Sequence, residues 1–219
     1  MKSYKMLAKL CLVMTGLWVA LQVAWYFMYE TLPLKDVDKI ERTYKGLSSD
    51  ELQGKLDSFI IFDPYRVIAA SVLCERKDPK VVPYLIRELK SWNRSRRSTA
   101  MMELGKIGDE RAIAPLMKIA TGSRVDLTYD GVATPDYIQA LESLAKMKYK
   151  EVRQYAVEFA ALKNDLNDFR AYGITMLEYL EDPQAIPLLL KISKNDPEDY
   201  IRHKAQRAID KIEAAQLQE

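Results

Sequence analysis

One histidine, His203, and two cysteines, Cys11 and Cys74, are all that this chain offers of the side chains that most often bind metals or serve as nucleophile and base. A Ser-His-Asp or Cys-His arrangement is therefore excluded everywhere except around His203. That residue lies in DYIRHKAQ between Arg202 and Lys204, where a solvated helix position is the expectation. No C-x-x-C spacing exists, which removes a zinc or redox pair. Cys11 falls in an apolar run and Cys74 in a predicted helix, so two buried thiols are expected rather than a disulfide. LAKLC also lacks the small residues of a lipoprotein cysteine. Phosphate-cradling loops of the Walker or G-x-G-x-x-G type are missing. Acidic pairs are plentiful, but none falls on an apolar face where a raised pKa would follow. These gaps speak against an enzyme, and no cofactor or metal is expected.

An excess of one charge is missing as well. Lys+Arg number 33 against 31 Asp+Glu, a formal net charge of +2. Three of the cations, Lys2, Lys5 and Lys9, come before everything else, and the remainder carries a net charge of −1. A nucleic-acid binder normally shows a basic surplus, and this chain does not.

What the chain does have is repetition. RSTAMMELGKIGDERAIAPLMKI (Arg97 to Ile119) reads as helix, tight turn, helix. Arg97, Ala100 and Leu104 share one helical face, Gly105 and Gly108 supply breaker and turn, and Asp109 is placed to cap a helix carrying Ile113, Leu116 and Met117. Such a hairpin cannot bury both of its stripes alone and needs copies. They are Arg66/Ala69/Leu73, Tyr137/Ala140/Leu144, Arg170/Gly173/Leu177 and Arg202/Ala205/Ile209, at successive spacings of 31, 40, 33 and 32 residues. The second helices read Val82/Leu85/Ile86, Ile113/Leu116/Met117, Val152/Tyr155/Ala156 and Ile186/Leu189/Leu190. Two columns keeping one period point to a helical solenoid.

The chain divides, on this reading, into a basic tail (1–9), a transmembrane anchor (10–29), a stem and helical cap (30–62) and the repeats (63–219). The 20 uncharged residues from Leu10 to Tyr29 cover roughly 30 Å as a helix, a bilayer's hydrocarbon thickness. They end in aromatics rather than in a small-residue cleavage site, which favours an anchor over a signal peptide. The expectation is a single-pass protein of a bacterial inner membrane, touching the lipid bilayer through residues 10–29, with its C-terminal domain outside the cytoplasm. In the stem, Asp36 to Tyr44 predicts a short helix, and Ser48-Ser49-Asp50-Glu51 resembles a capping box. Within the repeats, Asp63-Pro64, Asp78-Pro79, Asp182-Pro183 and Asp196-Pro197 mark helix starts, with Thr134-Pro135 as a variant. The spacing of 40 locates an insertion at Thr121 to Thr134, where Arg124 and Tyr129 are candidate contacts on a loop.

LGKIGDERAIAPL (Leu104 to Leu116), VLCERKDPKVVPYLIREL (Val72 to Leu89) and LEYLEDPQAIPLLLKI (Leu177 to Ile192) resemble the HEAT-repeat family, in the short variety named after phycobilisome lyases. The resemblance covers about two-thirds of the chain; the third repeat departs from it, with Tyr137 for arginine and MKYKEV for the glycine-aspartate turn. It implies an all-α, right-handed α-solenoid of about four to five hairpins, which the transmembrane helix expected from residues 10–29 would precede. It also implies that Arg66, Arg97, Arg170 and Arg202 serve inter-repeat hydrogen bonding, and that second helices line the concave surface. One residue beyond the apolar column, that surface would carry Arg87, Lys118 and Lys191, with Val157 interrupting and Glu88 and Glu158 beside them. Tyr84, Trp92 and Met117 would add the apolar area of contact hot spots. The metal-pair hydroxylases built from such repeats use His-Glu dipeptides, of which this chain has none.

The function these readings favour is a membrane-anchored scaffold or assembly factor holding a protein or peptide partner on its concave surface. Two alternatives stay open: a lyase-like or chaperone-like subunit handling a prosthetic group, and a nucleic-acid-binding HEAT domain, which the charge opposes.

Overall fold

A computed structural model describes residues 37–57, 64–122, 135–162 and 169–217. Among them every regular element is a helix. The eleven α-helices are α1 (Val37–Lys45), α2 (Ser49–Leu56), α3 (Pro64–Glu75), α4 (Val82–Glu88), α5 (Arg94–Ile107), α6 (Ile113–Thr121), α7 (Asp136–Lys146), α8 (Arg153–Ala160), α9 (Phe169–Leu180), α10 (Ile186–Asn195) and α11 (Asp199–Gln216). The chain forms two compact units, Met1–Val72 and Leu73–Glu219.

In the first unit α2 starts as its sequence predicts. The Ser48 hydroxyl accepts from the Glu51 backbone N–H, and the Glu51 carboxylate accepts from the Ser48 N–H at 2.8 Å, a complete capping box. Those bonds hold the Glu51 carboxyl below its usual pKa. Leu52 and Leu56, one turn apart, are fully buried.

In the second unit the first helices α5, α7, α9 and α11 pack side by side, and each second helix packs against the first helix of the following hairpin: α4 on α5, α6 on α7, α8 on α9, α10 on α11. This is the two-layered stacking of an α-solenoid. The column read from sequence is its core. Leu73, Ala100, Leu104, Ala140, Leu144, Leu177, Ala205 and Ile209 are all buried.

Glycine enters that column where helices touch backbone to backbone. A methyl group on Gly173 of α9 would lie 2.3 Å from the Ala160 nitrogen and 2.6 Å from the Ala156 carbonyl oxygen of α8. Gly105 of α5 is similarly close to Ser143 of α7, whose Cα would lie 2.9 Å from an added Cβ.

The turn inside each hairpin is more uniform than its sequence. Lys77, Gly108, Lys148 and Glu181 all take left-handed backbone angles, with φ of 52°, 75°, 60° and 51°. An extended residue and a three-residue 3-10 turn follow, at Pro79–Val81, Glu110–Ala112, Lys150–Val152 and Pro183–Ala185, before the second helix proper begins. Asp78, Asp109 and Asp182 cap these 3-10 turns, each accepting from the backbone N–H two residues on at 2.9–3.0 Å. The Asp-Pro dipeptides thus fix the start of the 3-10 turn, three residues ahead of the α-helix. Tyr149 holds the same place in the third hairpin without a side-chain cap. Asp196 accepts from the Glu198 N–H at 3.0 Å, just before α11. Asp63 and Thr134 lie outside the described residues, as do Cys11 and the insertion's residues 123–134.

The expectation of a single-pass membrane protein is corrected here: among the described residues no helix is long and apolar enough to cross a membrane. The longest, α11, has 18 residues but carries Asp199, Arg202, Lys204, Arg207, Asp210, Lys211 and Glu213. Charges at that density could not be desolvated in hydrocarbon. The stretch 10–29, on which the anchor reading rested, lies outside the described residues.

Candidate functional site

Three of the repeated arginines, Arg97, Arg170 and Arg202, hold connections between helices. Arg97 donates through Nε to Asp136 Oδ2 at 2.6 Å and through Nη1 to the Ser91 and Trp92 carbonyls at 2.9 and 3.1 Å. Arg202 reaches the equivalent carbonyls of its own preceding loop, Asp196 at 2.6 Å and Pro197 at 3.1 Å. Arg170, almost fully buried, donates to Asp196 Oδ2 and to Glu198 Oε1, both at 2.8 Å. Each guanidinium ties one hairpin to the connection beside it, the planar fork satisfying several acceptors at once.

A second set of bonds runs along the turns. Arg111 donates to Asp109, which lowers that carboxyl's pKa and raises that of the guanidinium, and its Nη2 reaches the Pro79 carbonyl of the preceding turn at 2.8 Å. Lys148 pairs with Glu181, and Arg153 with Asp182, in the following turn. With Lys150, Leu180, Gln184 and the end of α11 these residues line a cleft of about 570 Å³. Its two carboxylates are already engaged, Asp182 by a cap and an ion pair together. Of these turn residues the sequence had marked only Asp109 and Asp182, as helix caps. Lys211 of α11, itself exposed, pairs with the buried Glu178 of α9. On α3, burial and the Glu103 carboxylate push the Cys74 thiol up to about 12, against the smaller opposing effect of Lys106.

The second helices carry the candidate contact column. Arg87 on α4, Lys118 on α6 and Lys191 on α10 are all exposed. On the third hairpin the register differs by one residue from the sequence reading. Helix α8 starts at Arg153, so its column is Arg153/Ala156/Val157, and Val152 belongs to the 3-10 turn. The residue equivalent to Arg87, Lys118 and Lys191 is therefore Glu158, also exposed, rather than Val157. Counting from the left-handed residue of each turn recovers this register; counting apolar residues does not, because Val152 is fully buried too.

The remaining candidates separate. Tyr84 is buried in the core. Glu88 is half-buried, with Arg96 Nη1 at 3.9 Å from its carboxylate. Trp92, in the loop after α4, is 77% exposed, a large apolar surface for a soluble face. Arg124 and Tyr129 lie outside the described residues. Among the described residues no group of three or more His, Cys, Asp or Glu is placed to hold a metal ion. What these surfaces offer is directional hydrogen bonding and charge, spread over several helices.

Residues 62–130 match the family described as HEAT repeats. No curated protein matches the chain. Among solved structures, the chain is similar to the complex of CpcE and CpcF of phycocyanin lyase from Nostoc sp. PCC7120. The identity is 18%, the match covers 83% of this chain and 68% of that one, and the TM-score is 0.49.

Proposed function

We propose that the protein is an interaction scaffold, in which a cap (30–62) precedes HEAT-like repeats (63–219) and the second-helix surface holds a segment of a protein partner. The observation that carries this reading is the column Arg87, Lys118, Glu158 and Lys191. These are four exposed, charged side chains at equivalent places on α4, α6, α8 and α10. A repeated rise between helices spaces such groups for an extended or helical segment, and each contributes a contact that shares one entropic cost of binding. The turns and the arginine ladder fix the helices that display them, so little ordering is left to the moment of binding.

Crosslinking of the full-length protein in its native extract, followed by identification of the attached chain, tests the proposal. A specific partner whose crosslink is lost on Lys118→Glu and Lys191→Glu, with helicity retained, is the expected outcome. A crosslink indifferent to both changes overturns it. So would an absorption change on adding a tetrapyrrole with no protein partner captured, which would turn the reading toward a lyase-like role.

A further inference from the structure

The loop that joins α4 to α5 is over-decorated for the work its backbone does. Its path is fully determined by hydrogen bonds. The Lys90 and Ser91 N–H groups donate to the Arg87 and Glu88 carbonyls at 3.1 and 3.0 Å. The Asn93 N–H donates to Ser91 Oγ at 3.3 Å, Asn93 Oδ1 accepts from the Arg96 N–H at 3.2 Å, and Arg97 bonds two loop carbonyls from below. Trp92 sits at the centre of this pinned segment and still presents 77% of its surface to solvent.

The loop before α11 is an internal control. Arg202 pins it by the same two bonds, to the carbonyls six and five residues upstream, as Arg97 does in the first. There the position of Trp92 is taken by Pro197, and the flanking side chains are Asp196, Glu198 and Asp199. The architecture is thus built equally well without a tryptophan and with the opposite charge. Arg97, like Arg202, holds the turn; Trp92 and the other cations around it are not needed for it.

Those cations are concentrated. Arg87, Lys90, Arg94, Arg96 and Arg97 fall within eleven residues that hold one acid, Glu88, in a chain that is otherwise close to neutral. Asp136 takes Arg97 at 2.6 Å and Arg94 at 3.9 Å, and Glu88 has Arg96 at 3.9 Å. Lys90 and Arg96 remain exposed to solvent.

We propose that this loop is the docking point for an acidic peptide segment bearing one apolar side chain, which lies against the Trp92 ring while its carboxylates meet Lys90, Arg94 and Arg96. The inference rests on the scaffold reading and names the partner's chemistry. Tryptophan and arginine are the side chains that most often dominate interface energies, and a pre-ordered loop spares the entropy of arranging them. Charge complementarity favours a short acidic segment over a nucleic acid. The basic tract spans a single loop, Glu88 and Asp136 stand within it, and Glu158 would repel a polyanion extending along the second helices.

The probe is a fluorescein-labelled peptide of glutamates around a single leucine, titrated by anisotropy against the full-length protein, with its Leu→Ser form and a single-stranded oligonucleotide of equal length beside it. Trp92→Ala and Lys90→Glu are each expected to weaken the leucine peptide roughly tenfold or more. Circular dichroism should show retained helicity, and the Leu→Ser peptide should be indifferent to Trp92→Ala. Equal affinity of wild type and Trp92→Ala for the leucine peptide overturns the proposal, as does tighter binding of the oligonucleotide. A native partner that is lost on Lys118→Glu and Lys191→Glu but not on Trp92→Ala overturns this inference alone and leaves the scaffold reading standing.

Discussion

Arg170 and Asp196 are separated by 26 positions in the chain and by 2.8 Å in space, with both side chains at least nine-tenths buried. One is on a first helix, the other at the end of the following second helix, so the pair fastens consecutive hairpins. Buried ions depend on their partners: the desolvation cost is offset only while both charges are present.

Arg170→Ala is accordingly expected to cost about 3–5 kcal/mol, since it leaves the Asp196 carboxylate without that counter-charge. Glu198 also accepts from Arg170 but is half exposed, so solvent already screens it. Glu198→Gln should cost less than about 1 kcal/mol. Urea unfolding followed by circular dichroism separates the two; equal effects would contradict the ranking.

Gly173→Ala places a methyl group against the backbone of α8, where no rotamer change can make room. A loss of about 1–3 kcal/mol is expected from the forced separation of α8 and α9. Gly54, inside α2, has no atom within 4 Å of an added methyl, and Gly54→Ala should gain about 0.5–1 kcal/mol. Opposite shifts in thermal midpoint are the test.

The left-handed residue of each turn gives a third comparison. Lys77 holds φ 52° and Gly108 φ 75°. Lys77→Gly should be neutral or stabilising by up to about 1 kcal/mol, and Gly108→Val should be destabilising by about 1–2 kcal/mol. A stability gain for Gly108→Val would show that the turn is not the constraint it is taken to be here.

Cys74 supplies a pH dependence. Its thiol is raised to about 12 from a usual value near 9, so folding favours the protonated form. That contribution is fully present below the unfolded pKa, and stability should decline as the pH rises from about 9 toward 12. Because the folded state keeps the thiol protonated, iodoacetamide at pH 8 should alkylate Cys74 far more slowly in the folded than in the urea-unfolded protein. Equal rates would contradict the assignment.

The chain itself determined the period. Ala69, Ala100, Ala140, Gly173 and Ala205 recur because a first helix must let a neighbouring helix come close, as Gly173 does for α8, and small side chains at one spacing are enough to declare that. The capping box of α2 and the aspartate caps were equally local, each needing only neighbours two or three residues away. The membrane reading was local too, but it rested on a stretch outside the described residues, and no described helix supports it.

Tertiary structure decided the rest. Four turns share one left-handed geometry although only one has glycine there, because the packing of the flanking helices imposes the backbone and tolerates the strain. The register of α8 moved by one residue because Val152 and Ala156 are both buried, and periodicity cannot tell a 3-10 position from a helical one. The carboxylate partners of Arg97 and Arg170 lie 26 to 39 residues away, and no spacing rule reaches that far. Whether a charged side chain holds the fold together or faces a partner depends on which helix stacks beside it, and stacking is a property of the folded chain.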